Sequence, residues 1–334
     1  MLRTYAKLLR PLSVFTIWAD VLLGWTVAGG VPDLRRSAPT TWPERRWSTD
    51  PAEWHVLVNL VPLGCLLAAS TCFYAAGIIW AASLEANRNR TDKSQQLPSR
   101  SVNRLAAGLL VATTLSLGSG FIVICMTWDV FRPPAAAFAL VLYIFIQGRN
   151  GFGPVAVGIC HFLNVLLGTS TSLFYIPDYP QTYYFIALIV AIYIAGVTWF
   201  GRVETSQTPR WHFCRAAGVM LSAAVLALVL PEVRRALSHG IFARLEPQGI
   251  PTDGWEVVVY RCLLLLWSVI YAIPVFRAFR EPSQERAQAV ARTGLHGLIS
   301  LDALLAFGVI GWPGLLILIL LISALLLRPS EAST

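Results

Sequence analysis

The sequence predicts an all-α polytopic membrane protein of about nine transmembrane helices, and three observations carry that prediction. The chain of 334 residues is 56% hydrophobic and only 13% charged, whereas soluble domains are about a quarter charged. Its mean hydropathy of +0.61 means more apolar surface than one soluble core buries. The apolar residues fall into runs near the length that crosses a bilayer as a helix, about 20 residues, separated by clusters of charge, proline and glycine. Together these exclude an ordinary soluble enzyme, a disordered chain and a small secreted scaffold. The net charge of +8 does not point to nucleic acid, because the basic residues sit in short clusters between apolar runs and not on one polar face.

The first run, Pro11 to Gly29, follows Arg3, Lys7 and Arg10. It imitates a secretory signal with small residues behind it, but Asp20 interrupts it and the apolar stretch exceeds the usual signal core. The second, Val56 to Ser83, is set off by the mixed-charge loop from Gly30 to His55. The third, Leu105 to Thr127, and the fourth, Pro134 to Ile146, lie between the polar loop near residue 90 and Arg149. The fifth, Gly153 to Leu173, and the sixth, Tyr183 to Phe200, precede the cluster at Arg202 and Arg210. The seventh, Phe213 to Leu230, and the eighth, Val257 to Phe279, are divided by a second mixed-charge loop, Pro231 to Glu256. The last, Leu295 to Leu327, is interrupted by Gly311, Pro313 and Gly314. It reads as a short interfacial helix followed by the ninth span or as two half-spans, so the count is nine, or ten. No short-period repeat, heptad or low-complexity tract breaks the chain, and residues 1–334 read as one domain.

Orientation follows from Lys and Arg, which are retained on the cytoplasmic side. An N-terminus inside places about 16 of the 26 basic residues on the inner face and the C-terminus outside. The six cysteines lie within or beside apolar stretches and form no Cys-x-x-Cys pair, and the five histidines show no pairing at helical spacing. Packed or interfacial roles are therefore expected for both, with neither a disulfide framework nor a zinc site.

Polar groups at membrane depth are costly and each needs a partner or a purpose. Asp20 lies deep in the first run, His161 and Asn164 in the fifth, and Asp302 in the last. His161 and Asn164, three residues apart, share a helix face. They line a polar cavity, or they hold helices together by hydrogen bonding.

Two inner loops carry further polar residues. After the second run, Glu85, Asn89 and Asp92 fall at i, i+4 and i+7, one stripe of a helix. Oxygens in such a stripe suit a hard cation such as magnesium, and Arg88, Arg90 and Lys93 beside them suit phosphate oxygens. A solvated loop that merely obeys the charge rule has the same spacing. After the sixth run, Arg202 and Glu204 repeat the combination of Arg and carboxylate.

These loops stand where the UbiA superfamily of intramembrane prenyltransferases carries two aspartate-rich motifs, and the chain resembles that superfamily over nearly its whole length. Leu9-Arg10-Pro11 through Asp20 to Gly24 resembles the opening Arg-Pro helix. Tyr143 through Arg149, Gly153-Pro154, Gly158 through His161 and Asn164 through Gly168 resemble its fourth and fifth helices. Gly196 through Phe200 with Arg202 and Glu204, and Leu301-Asp302-Ala303, are similar to its EboC-like branch.

The resemblance implies a helical bundle around a lateral cavity, in which magnesium held at both motifs binds a polyprenyl diphosphate for transfer to a lipophilic acceptor within the membrane lipid. It implies Glu85, Asn89, Asp92 and Glu204 as metal ligands, and Arg90, Lys93, Arg149 and Arg202 as diphosphate donors. Tyr143 and Asn164 would be catalytic, steering the reacting centre, with His161 binding substrate where that branch has an arginine. The chain departs from the first motif, Asn-Asp-x-x-Asp-x-x-x-Asp, whose positions after Tyr74-Ala75-Ala76-Gly77 are Ala81, Ala82, Glu85 and Asn89. The expected lysine after the fourth helix is Gly148. Three readings stay open: a weakened or one-metal enzyme, one using Arg and Lys in place of metal, and a catalytically silent isoprenoid-binding or lipid-binding relative. A transporter rests only on the span count and on intramembrane Asp20 and Asp302.

Overall fold

The computed structural model describes residues 11–28, 60, 63–72, 74–75, 153–169, 180–201, 210–238 and 254–326, and every regular element among them is helical. The expected third and fourth runs lie outside the described residues. In chain order the helices are α1 (Pro11–Val27), α2 (Leu63–Cys72), α3 (Gly153–Thr169), α4 (Pro180–Gly201), α5 (Arg210–Leu228), α6 (Leu230–Ser238), α7 (Trp255–Arg280) and α8 (Gln284–Ile310). A 3-10 turn, Trp312–Ile317, then leads into α9 (Leu318–Leu326). Four of them, α4, α5, α7 and α8, are long and apolar enough to cross a membrane, and the chain is an integral membrane protein.

α8 is the central post. From Leu298 to Phe307 every side chain but Ser300 is buried, including all faces of the helix, which requires neighbours around it. It packs against α1, α4, α7 and the 3-10 turn. α7 is the opposite case. It buries Tyr260, Leu264 and Trp267, a stripe at helical spacing that faces α8, while Leu265, Leu266, Val269, Ile270, Ile273 and Phe276 are exposed. Such an outward apolar face fits lipid, as does Pro274 in mid-helix.

Small residues set the closest contacts. A Cβ on Gly24 of α1 would lie 2.0 Å from the Val165 carbonyl oxygen of α3, and one on Gly168 would lie 2.1 Å from that of Val21. Residues 20 and 24 of α1 meet 161 and 168 of α3 in the same order, so the two helices run parallel. Between α8 and its neighbours, Gly297 leaves room for the Tyr193 hydroxyl and the Tyr271 ring, and Gly294 for the Val197 side chain. The Tyr193 hydroxyl donates to the Gly294 carbonyl at 3.1 Å, and Trp267 Nε1 donates to that of Gly297 at 3.1 Å. Tyr260 donates to the Ala227 carbonyl at 2.7 Å, tying α7 to α5. Outside water, hydrogen bonds and close packing of this kind hold helices together.

The structure redraws the last apolar region. α8 begins eleven residues before Leu295, capped by the Ser283 hydroxyl, which accepts from the Arg286 backbone N–H. Its first turns carry Glu285, Arg286 and Arg292, which hid the helix from a reading based on apolar length. The break falls at Gly311, whose φ of +76° disfavours any side chain. Beyond it the chain folds back, with Gly314 against the backbone of Ala306 and Phe307. The region is thus one full-length helix and a returning apolar segment, and not a short interfacial helix ahead of a span. A second difference is α6, within the expected loop from Pro231 to Glu256. Its Arg234 Nη1 donates to the Gly308 carbonyl at 2.8 Å, satisfying one of the terminal acceptors of α8.

Candidate functional site

The four intramembrane polar residues singled out in the sequence converge on one spot. Asp20 of α1 and Asp302 of α8 are both 0% exposed, and His161 and Asn164 of α3 are 7% and 4% exposed. His161 Nδ1 lies 2.6 Å from Asp20 Oδ2. The side chains of Asn164 and Asp302 lie within hydrogen-bonding reach of the same carboxyl.

Local sequence places each group. Asp20 stands one turn before Gly24 on α1, and Asn164 one turn before Gly168 on α3, so the close glycine contact draws both polar positions inward. His161, one turn before Asn164, then reaches Asp20. The shared face of 161 and 164 is as the spacing predicted. Asp302 enters from the central helix, five residues beyond Gly297.

Each buried charge in an apolar interior costs several kcal/mol unless paired, and pairing here is incomplete. Asp20 Oδ1, Asn164 Oδ1 and both Asp302 carboxyl oxygens have no hydrogen-bond donor among the described residues. The Nδ1 contact fixes the plane of the imidazole and leaves Nε2 as its other polar atom. An imidazole oriented by a carboxylate is chemically equipped to take or give a proton.

The other expected site residues, Glu85, Asn89, Arg90, Asp92, Lys93, Tyr143, Arg149, Arg202 and Glu204, lie outside the described residues. Among the described residues no three His, Cys, Asp or Glu side chains are arranged to hold a metal ion. An aromatic lining beside the cluster involves residues that no sequence motif marked. Tyr193, Trp267 and Tyr271 pack ring to ring with centroids 5.3 Å apart, and Tyr271 meets Ser300 at 3.3 Å. The signal was Gly294 and Gly297 at helical spacing, the small-residue pattern of close intramembrane approach.

No protein-family model matches the chain, and no curated protein matches it. A solved structure of digeranylgeranylglyceryl phosphate synthase in membranes is similar to it, with a TM-score of 0.53 at 14% identity over 92% of this chain and 97% of that one. At that identity the likeness establishes the fold alone, an all-helical membrane bundle like that of the synthase.

Proposed function

We propose that the protein is a prenyltransferase-like membrane protein of the UbiA superfamily, in its EboC-like branch, that transfers a prenyl group from a polyprenyl diphosphate to a lipophilic acceptor. The observation that carries this reading is the likeness to a digeranylgeranylglyceryl phosphate synthase along 92% of the chain, which reaches far beyond any single helix hairpin. The motif positions support it: Glu85, Asn89, Asp92 and Glu204 have the oxygens to hold magnesium, and Arg90, Lys93, Arg149 and Arg202 suit diphosphate oxygens. Magnesium, when bound, supplies positive charge against the departing diphosphate. Tyr143 and Asn164 are assigned to the cavity wall, steering the reacting centre, and His161 to substrate binding. A cytoplasmic N-terminus and a C-terminus outside belong to the same proposal and rest on the distribution of Lys and Arg.

A second reading, a catalytically silent isoprenoid-binding relative, is favoured by Ala81 and Ala82, which remove two oxygen ligands from the first motif. Titration of the detergent-purified chain with geranylgeranyl diphosphate, with and without magnesium, separates the two. The enzymatic reading expects binding to require magnesium and to weaken about tenfold or more in Glu85→Ala and Glu204→Ala. Affinity indifferent to both the metal and the carboxylates would leave the second reading standing.

A further inference from the structure

Asp20 and Asp302 present four carboxyl oxygens in a fully buried space, and three of them have no donor among the described residues. The two groups are within hydrogen-bonding reach of each other. Two neighbouring carboxylates shielded from solvent repel, and each also bears the cost of desolvation.

Among the described residues no Lys or Arg is buried, so His161 is the one cationisable side chain that faces the pair from α3. Near Asp302, α4 contributes Tyr193 and α7 contributes Tyr271 against Ser300, both neutral phenols. One imidazolium balances at most one of two carboxylates. Among the described residues a second positive charge is missing, and so is a hydrogen-bond donor for Asp302. A single proton supplies both.

We propose that Asp20 and Asp302 share one proton, forming an intramembrane protonation site in which Asp302 O–H donates to Asp20 Oδ1 while His161 Nδ1–H donates to Asp20 Oδ2. Each Asp20 oxygen then accepts one bond, and the two carboxyls together carry one negative charge instead of two. Asp302 keeps one oxygen as an acceptor. The site joins α1, α3 and α8 through a proton and does not depend on the prenyl-transfer reading.

Infrared spectroscopy of the detergent-purified full chain at about pH 8, where exposed carboxyls are ionised, tests it. The expected spectrum shows a protonated-carboxyl C=O stretch that moves to lower frequency in deuterated water. Asp302→Asn should remove that band and melt close to the wild type, because the amide still donates to Asp20, whereas Asp302→Ala should melt well below it. Asp20→Asn, which should displace or remove the band, is the second variant should Asp302→Asn fail to fold. No protonated-carboxyl band in the wild type, or a band that neither variant alters, would overturn the proposal.

Discussion

Replacing Gly24 by alanine should prise α1 from α3 and, with it, Asp20 from His161. The new Cβ would stand 2.0 Å from the Val165 carbonyl oxygen, 2.9 Å from the Thr169 nitrogen and 3.0 Å from Gly168 Cα. All three are backbone atoms, so no side chain can rotate away. Ordinary carbon to oxygen contact is about 3.3 Å, and the helices must therefore separate by about 1.3 Å at the crossing. Overpacking of this kind costs about 3 kcal/mol. The same shift would stretch the 2.6 Å Asp20–His161 contact beyond hydrogen-bonding range, adding about 2 kcal/mol for a bond to a charged group. A combined loss near 5 kcal/mol lowers the melting temperature of a chain this size by roughly 10 °C. The assay is thermal melting of the purified protein in detergent. Gly218→Ala is the control, since nothing lies within 4 Å of a Cβ there and alanine is the better helix former by about 1 kcal/mol. Gly24→Ala melting within about 2 °C of the wild type would refute the close-packing argument.

Two further substitutions probe the end of α8. Gly311→Ala places a side chain at φ +76° and ψ −149°, a conformation nearly confined to glycine, and should cost about 1–3 kcal/mol; unchanged melting would show that the fold-back does not need that backbone. Arg234→Met keeps most of the apolar stem but removes the donor to the Gly308 carbonyl, and should cost about 1–2 kcal/mol. Equal melting of this variant and the wild type would mean that α6 does not cap α8.

Apolar run length was enough to find α1, α3, α4, α5 and α7 within a few residues of their ends, because a bilayer demands long uninterrupted runs. The cost of buried polarity singled out Asp20, His161, Asn164 and Asp302, and all four belong to one cluster. Their mutual contact could not be read from the chain. It depends on the rotation of α1 against α3, which is fixed by Gly24 and Gly168, and a glycine in sequence does not say which helix it admits. The start of α8 was hidden because its first turns are polar. The aromatic slot was hidden because the backbone carbonyls of Gly294 and Gly297 are met by Tyr193 of α4 and Trp267 of α7, 101 and 30 residues away.

The exposed apolar face of α7 changes what keeps that helix in place. Where the surroundings are hydrocarbon, moving Leu265 or Ile273 from lipid to protein removes no apolar surface from water, so the entropic drive of a soluble core is absent. What distinguishes docked from undocked α7 is then the Trp267 and Tyr260 hydrogen bonds to backbone carbonyls and the fit of rings into glycine slots. Separation of α7 from α8 within a bilayer should accordingly show little heat-capacity change and a largely enthalpic cost. The helix is held by a few directional contacts, and it can be loosened by losing one of them while its oily surface stays intact.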